Sequence, residues 1–183
     1  MNLHILPFAS PGARIIPMFW DESLFGRITK ISHCWCEKGI RPIVKALKVR
    51  EYTHVFGAFD PFEGESCFIF TPKCNTAWTN VFLKVLSEQF AEDYILLIGD
   101  QASHHKSKDL KLPENIRLAF IPPRTPEMNP SEGIWDEIKE KHFANRYFEK
   151  MDDVLDELTL AVKKLTKETI MSIVQRNWIN ASF

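Results

Sequence analysis

A chain of 183 residues, 45% hydrophobic and 26% charged, has enough apolar material for one well-buried domain and is short for two. A formal net charge of −1 excludes a protein that coats nucleic acid over its whole surface, while leaving room for a local basic track. No apolar run reaches membrane-spanning length and no charged-then-apolar leader opens the chain, so an intracellular protein with no membrane partner is expected.

Residues 1–13, with Pro7, Pro11 and Gly12, read as an irregular lead-in, and residues 14–183 as a single domain. Ile15 to Trp20 is a short apolar run, read as a strand despite Pro17, and it ends in Asp21 and Glu22. Asp21 to Gly39 has no clear period and predicts turns, with a short strand around Ser32 to Cys36. Arg41, Lys45, Lys48 and Arg50 form a basic stretch whose default reading is a solvated face. None of the four cysteines, Cys34, Cys36, Cys67 and Cys74, forms a Cys-x-x-Cys pair. Cys34 and Cys36 with His33 make a weak zinc candidate, and reduced, partly buried thiols are expected instead.

Tyr52 to Phe59 and Ser66 to Phe70 are aromatic and β-branched runs joined by Asp60-Pro61-Phe62-Glu63-Gly64-Glu65, which predicts a hairpin. From Thr76 to Phe90 the period changes, and Trp78, Phe82, Val85, Leu86 and Phe90 share one helical face with Asn75 or Thr76 as cap. Tyr94 to Ile98 reads as a strand buried on both faces, and Asp100 stands just past its end, where open α/β sheets place ligands. Ile116 to Ile121 is a further strand. A helix is expected from Pro130 with Asn129 as N-cap. Met151 to Leu165 carries an amphipathic stripe, broken near Thr166 and resumed by Ile170, Ile173 and Val174. The order predicts a mixed sheet with helices packed against it.

Asp21, Asp100 and Glu132 are three carboxylates at predicted element ends. Two-metal phosphodiester chemistry needs hard oxygen donors that hold two divalent ions roughly 3.5–4 Å apart, and Asp and Glu supply them. Spacing alone leaves alternatives open. Asp100 can cap a turn after Gly99, and Glu132 can form a capping box with Asn129. Glu22, Asp60 and Asp136 compete as ligands.

Four stretches carry a family resemblance. Phe19-Trp20-Asp21-Glu22 resembles the first acidic motif of DDE transposases of the mariner-like and bacterial insertion-sequence group. Trp35 to Pro42 with Val55-Phe56-Gly57-Ala58 is similar to that group's tryptophan–glycine–proline segment and second strand. Ile98 to Lys106 resembles the second motif, usually Asp-Asn-Ala and then His, with Gln101 here in place of Asn. Pro122 to Trp135 with Lys139 resembles the third, Pro-x-x-x-Pro-x-x-Asn-Pro-x-Glu-x-x-Trp and then Lys. Asp100 and Glu132 are separated by 31 residues, 101 to 131.

The resemblance implies an α/β fold, a ribonuclease H-like mixed five-stranded sheet flanked by helices. It also implies a DNA endonuclease that cleaves transposon ends and performs strand transfer. Asp21, Asp100 and Glu132 would bind Mg²⁺, with Mn²⁺ as substitute and two ions per site. Arg124, Lys106, Lys139 and His105 lie near these acids in sequence and are candidates for holding DNA phosphates. Nothing before Ile15 reads as a helix-turn-helix, so the chain resembles the catalytic half alone. The partners expected are DNA, a separate DNA-reading polypeptide or domain, and a second copy of the chain. The expected location is the bacterial cytoplasm, on the nucleoid. The rivals are a non-catalytic or domesticated remnant that binds DNA, and a ribonuclease H-like junction resolvase.

Overall fold

A computed structural model describes residues 14–180, so the expected lead-in over 1–13 lies outside the described residues. Five strands form one sheet in the order β3-β2-β1-β4-β5. They are β1 (Ile15–Gly26), β2 (Tyr52–Phe59), β3 (Ser66–Thr71), β4 (Tyr94–Gly99) and β5 (Ile116–Phe120). The β1–β2 and β2–β3 pairs are antiparallel, and the β1–β4 and β4–β5 pairs are parallel, as the predicted mixed sheet requires.

The first strand departs from expectation. It does not stop at Trp20 but runs through Asp21 and Glu22 to Gly26. The polar residues are carried along because β2 pairs with them continuously, from Phe19↔Phe59 to Gly26↔Tyr52. Asp21 is therefore a mid-strand residue. Pro17 is accommodated because pairing with β2 begins only at Phe19, so its missing N–H falls where β1 has an unpaired side. The short strand expected over Ser32 to Cys36 is absent, and residues 31–50 run mostly exposed without regular structure. Two contacts anchor this segment: Thr29 and Leu47 exchange hydrogen bonds, and the Asn145 side chain bonds the Ser32 backbone in both directions. Arg41, Lys45, Lys48 and Arg50 are all exposed, as a solvated face predicts.

Both faces of the sheet are covered. On one, helix α1 (Thr76–Gln89), capped by the Asn75 side chain on the Trp78 N–H, packs Phe82, Leu83 and Leu86 on Ile16, Met18, Trp20, Phe56 and Leu97. On the other, helices α2 (Ser131–Ile138), α3 (Met151–Lys164) and α4 (Lys167–Val174) pack on Phe19, Phe25, Val55, Phe59 and Ile98. A π-helical turn, Lys139–Phe143, continues α2, and a short α5 spans Asn177–Asn180. The expected break near Thr166 is real: α3 ends at Lys164 and the Thr166 side chain accepts the Thr169 N–H to start α4. The predicted hairpin is equally clear. Asp60 Oδ1 accepts the Phe62 N–H at 2.8 Å, and Gly64 takes a left-handed φ of 69° that its missing Cβ permits. The thiols are as expected only in part, with Cys67 buried and Cys74 half-buried but Cys34 and Cys36 exposed. No helix among the described residues is long and apolar enough to cross a membrane.

Phe82 is fully buried, with its ring stacked near both Trp20 and Phe56. Truncation there leaves a cavity between α1 and the strand that bears Asp21, so Phe82→Ala should cost about 3–5 kcal/mol in urea unfolding. A loss under about 1 kcal/mol would mean that α1 is not held by this contact.

Candidate metal and active site

Strand register brings the first two acids together. The parallel β1–β4 pairing ends at Phe19↔Ile98, and two residues further along each chain stand Asp21 and Asp100. Between them, Trp20 packs against Gly99, where a Cβ would stand 2.2 Å from the indole Nε1. Only glycine lets the two strand ends close up at this level. The third acid arrives on α2. Asn129, buried before that helix, donates from Nδ2 to the Trp20 carbonyl at 3.2 Å and accepts the Ser131 N–H at 3.3 Å. The regular helix starts at Ser131, although Pro130 already has helical angles, so the expected cap at Asn129 holds to within one residue. Glu132 does not complete a capping box. It lines the cavity.

That cavity, of about 350 Å³, is lined by Asp21, Asp100, Gln101, Asn129, Glu132, Arg124 and the proline loop around it. All three predicted acids meet there, as does Arg124, whose left-handed φ of 61° marks a tight turn. Gln101, which replaces the usual Asn, donates to the Ile121 carbonyl at 3.0 Å and ties the Asp100 loop to the loop carrying Arg124. The rival ligands stand elsewhere. Asp60 is buried in its hairpin turn, and Asp136 is exposed and does not line the cavity. Glu22, one residue from Asp21, projects from the opposite face of β1.

Each acid has a different environment. Burial, reinforced by the Glu22 charge, pushes the Asp21 carboxyl up to about 7, against the restraining hydrogen bonds of the Glu22 backbone and Trp135. Trp135 donates from Nε1 to Asp21 Oδ2 at 3.1 Å. Its indole reaches that position because the residue opposite Asp21 on β2 is Gly57, where a Cβ would stand 2.6 Å from the ring. Trp135 is a core residue, as expected, and also an orienting donor that sequence did not reveal. Asp100 is half-exposed, and its Oδ1 accepts the Ala102 N–H at 2.9 Å, so the turn-capping reading and the cavity reading both hold.

His105 is the largest surprise. Expected near the surface with a phosphate in reach, it is instead 1% exposed. Its Nε2 lies 2.8 Å from Glu22 Oε1 and its Nδ1 2.9 Å from Asp100 Oδ1. Nδ1 also faces the Asp100 carbonyl at 3.2 Å, so oxygens surround both ring nitrogens, an arrangement that favours the protonated ring. Burial opposes that charge, but the Glu22 hydrogen bond and charge, with Asp100, outweigh it and raise the pKa. Burial likewise pushes Glu22 up, and His104 and His105 together more than reverse this. Trp20 adds an aromatic face 4.0 Å from the His105 ring centroid. The buried histidine thus braces Asp100 from the core side of its loop. Of the expected DNA-facing residues, Lys106 is exposed and bonds Gln101 Oε1 at 3.1 Å. Lys139 is half-buried, where desolvation lowers its pKa against the attraction of Asp136, Asp21 and Glu132.

A sheet of this order, with acids on its two central parallel strands and on the helix after β5, is the ribonuclease H-like fold. Solved structures sharing it include the Mos1 strand transfer complex, 14% identical over 86% of this chain and 50% of that one, TM-score 0.64. The Mos1 mariner paired end complex with Mn is likewise 14% identical, over 86% and 51% of the two chains, TM-score 0.66. The chain spans about half the length of these solved chains. The uncharacterized protein y4pE/y4sA of Sinorhizobium fredii (strain NBRC 101917 / NGR234) is 34% identical over 134 residues, 72% of this chain and 99% of the relative. The DDE superfamily endonuclease family matches residues 17–155, and the chain belongs to that family.

The Asp21 environment has a consequence for the metal-free protein. Its folded pKa of about 7 lies above the ordinary 3.8, so between those values the native state keeps a proton that the unfolded chain has lost. Stability therefore falls as pH rises through that window and levels off above it. In chelator, the stability of Asp21→Asn relative to the parent should grow from pH 4 to pH 7 in urea titrations. A constant difference across that range would contradict the burial-raised pKa.

Proposed function

We propose that this chain is a transposase catalytic domain that uses divalent metal ions to cleave DNA and join the freed 3′-hydroxyl to target DNA. The observation that carries the reading is the convergence of Asp21, Asp100 and Glu132, from β1, β4 and α2, on one cavity. The donor set fits a hard cation: three carboxylates, one of them with its pKa pushed up to about 7 by burial and the neighbouring Glu22 charge. Mos1 paired end complexes carrying Mn and carrying Mg support the same ion class. Asp21, Asp100 and Glu132 would hold Mg²⁺ or Mn²⁺, in a pair of ions, which supplies Lewis acidity at the attacking and leaving oxygens.

The chain's own groups do the positioning. Trp135 donates to Asp21 Oδ2, while the Ala102 N–H and His105 Nδ1 both lie against Asp100 Oδ1, so these two carboxylates are oriented by the chain's own groups. Such hydrogen-bonded partners fix ligand orientation before a metal arrives. Arg124, which lines the cavity, would supply a guanidinium for a DNA phosphate, and Lys106, bonded to Gln101, and Lys139, within electrostatic reach of Asp21 and Glu132, add positive charge nearby. This reading calls for DNA as substrate, a helix-turn-helix supplied by another domain or polypeptide, and pairing of two copies. It places the protein on the bacterial nucleoid.

Asp100→Asn keeps an acceptor for the Ala102 N–H while removing the charge. It should abolish Mn²⁺-dependent nicking of a duplex and weaken calorimetric Mn²⁺ binding, with circular dichroism unchanged. Nicking retained with undiminished metal affinity would refute the assignment. Arg124→Ala should weaken duplex binding without regard to sequence and reduce the slope of log affinity against log salt by about 1. An unchanged slope would remove Arg124 from the DNA contact.

A further inference from the structure

On the face of β1 opposite the acid cavity, three chemically different donors converge. Glu22 Oε1, His104 Nε2 and Cys74 Sγ all lie within 4.8 Å of one another. They come from β1, from the short helical turn Ser103–His105, and from the loop between β3 and α1. His104 Nε2 is 3.4 Å from Glu22 Oε1 and 3.4 Å from Cys74 Sγ. The His104–Glu22 contact is long beside an N–H···O bond near 2.9 Å, while the contact with Cys74 is an ordinary length for a hydrogen bond to sulfur. Tetrahedral zinc, with metal–nitrogen and metal–oxygen bonds near 2.0–2.1 Å and metal–sulfur near 2.3 Å, instead requires ligand-to-ligand edges of roughly 3.3–3.6 Å. Both distances match such edges. The hydrogen bond from His105 to Glu22 at 2.8 Å steadies the carboxylate, as neighbours of metal ligands commonly do.

We propose that Glu22, Cys74 and His104 form a binding site for one borderline-soft divalent cation of the Zn²⁺ class, separate from the hard-cation cavity across the strand. A thiolate, an imidazole and a carboxylate favour Zn²⁺ over Mg²⁺, and three protein ligands leave one position open for solvent. Binding replaces the S–H bond of Cys74 with a metal–sulfur bond and releases one proton to water, with no change of oxidation state. An ion there ties β1, the β3–α1 loop and the turn after Asp100 together, and so stiffens the mount of Asp100. The exposed pair Cys34 and Cys36 takes no part.

The test uses Co²⁺ as a coloured probe on the full chain. With the acid cavity saturated by excess Mg²⁺, wild type should bind one equivalent of Co²⁺ with a thiolate-to-cobalt charge-transfer band in the near ultraviolet, displaced by Zn²⁺. The band should vanish in Cys74→Ser, weaken at least tenfold in apparent affinity in His104→Gln, and persist in Asp100→Asn and in the double variant Cys34→Ser/Cys36→Ser. Absence of the band in wild type, its survival in Cys74→Ser, or its loss in the Cys34/Cys36 variant overturns the proposal. Because misfolding of Cys74→Ser would mimic loss, wild type is also alkylated with and without Zn²⁺ and mapped by mass spectrometry. Selective protection of Cys74 is the result expected, and equal alkylation overturns the site. Asp100→Asn separates this proposal from the nuclease reading, since its failure to nick would leave the cobalt band intact.

Discussion

Everything in the acid cavity depends on the parallel pairing of β1 with β4 and on the contact that finishes it, Trp20 against Gly99. Register alone sets Asp21 and Asp100 at one level, because each stands two residues beyond the pair Phe19↔Ile98. Side-chain bulk then decides how closely the strand ends approach. A Cβ at position 99 would strike the indole, and the indole cannot yield because Phe82 stacks on it from α1. The cavity is thus positioned by the apolar core on its far side. This is the expected logic for a site that must hold geometry to fractions of an ångström: rigid strands carry the acids, and packing immobilises the strands.

The third element joins by hydrogen bonds rather than by register. Asn129 donates to the Trp20 carbonyl, so the residue that opens α2 also grips the backbone just before Asp21. Three residues after Glu132, close to one helical turn, Trp135 comes down on Asp21 from the same helix. Gly57 clears the space for it. One eight-residue helix therefore delivers a carboxylate and an indole to the same strand. The Asn-Pro-Ser-Glu-Gly-Ile-Trp stretch is a single mechanical part: cap, cavity carboxylate and orienting donor at fixed helical offsets.

Much of this was legible in sequence, and what was not has a common cause. The β2–β3 hairpin, α1, β4, β5 and the broken helical pair after Met151 follow from local periodicity and turn chemistry, and their boundaries agree to within a residue or two. The three acids and Arg124 were identified in advance, and the cavity collects them. The misses are all non-local. Strand β1 looked finished at Trp20 because Asp21-Glu22-Ser23 is polar, but its continuation depends on β2, some thirty residues away. His105 sits in a polar run that reads as surface, and its burial depends on Glu22, 83 residues distant. Trp135 showed its apolar bulk in sequence, whereas its N–H required knowledge of what lies above β1. Ser32 to Cys36 suggested a short strand, yet no neighbouring strand pairs with it.

The neighbours Asp21 and Glu22 illustrate how a strand separates chemistry that sequence presents as one acidic step. A period of two sends adjacent side chains to opposite faces. Asp21 meets two further carboxylates and an indole N–H, and burial and like charge push its pKa up to about 7. Glu22 meets two imidazoles and a thiol, and hydrogen bonds with His104 and His105 favour its anionic form. The two faces communicate through His105, which touches Glu22 with one nitrogen and Asp100 with the other. Because the buried ring cannot move toward one carboxylate without loosening its hold on the second, it fixes the orientation of both side chains at once.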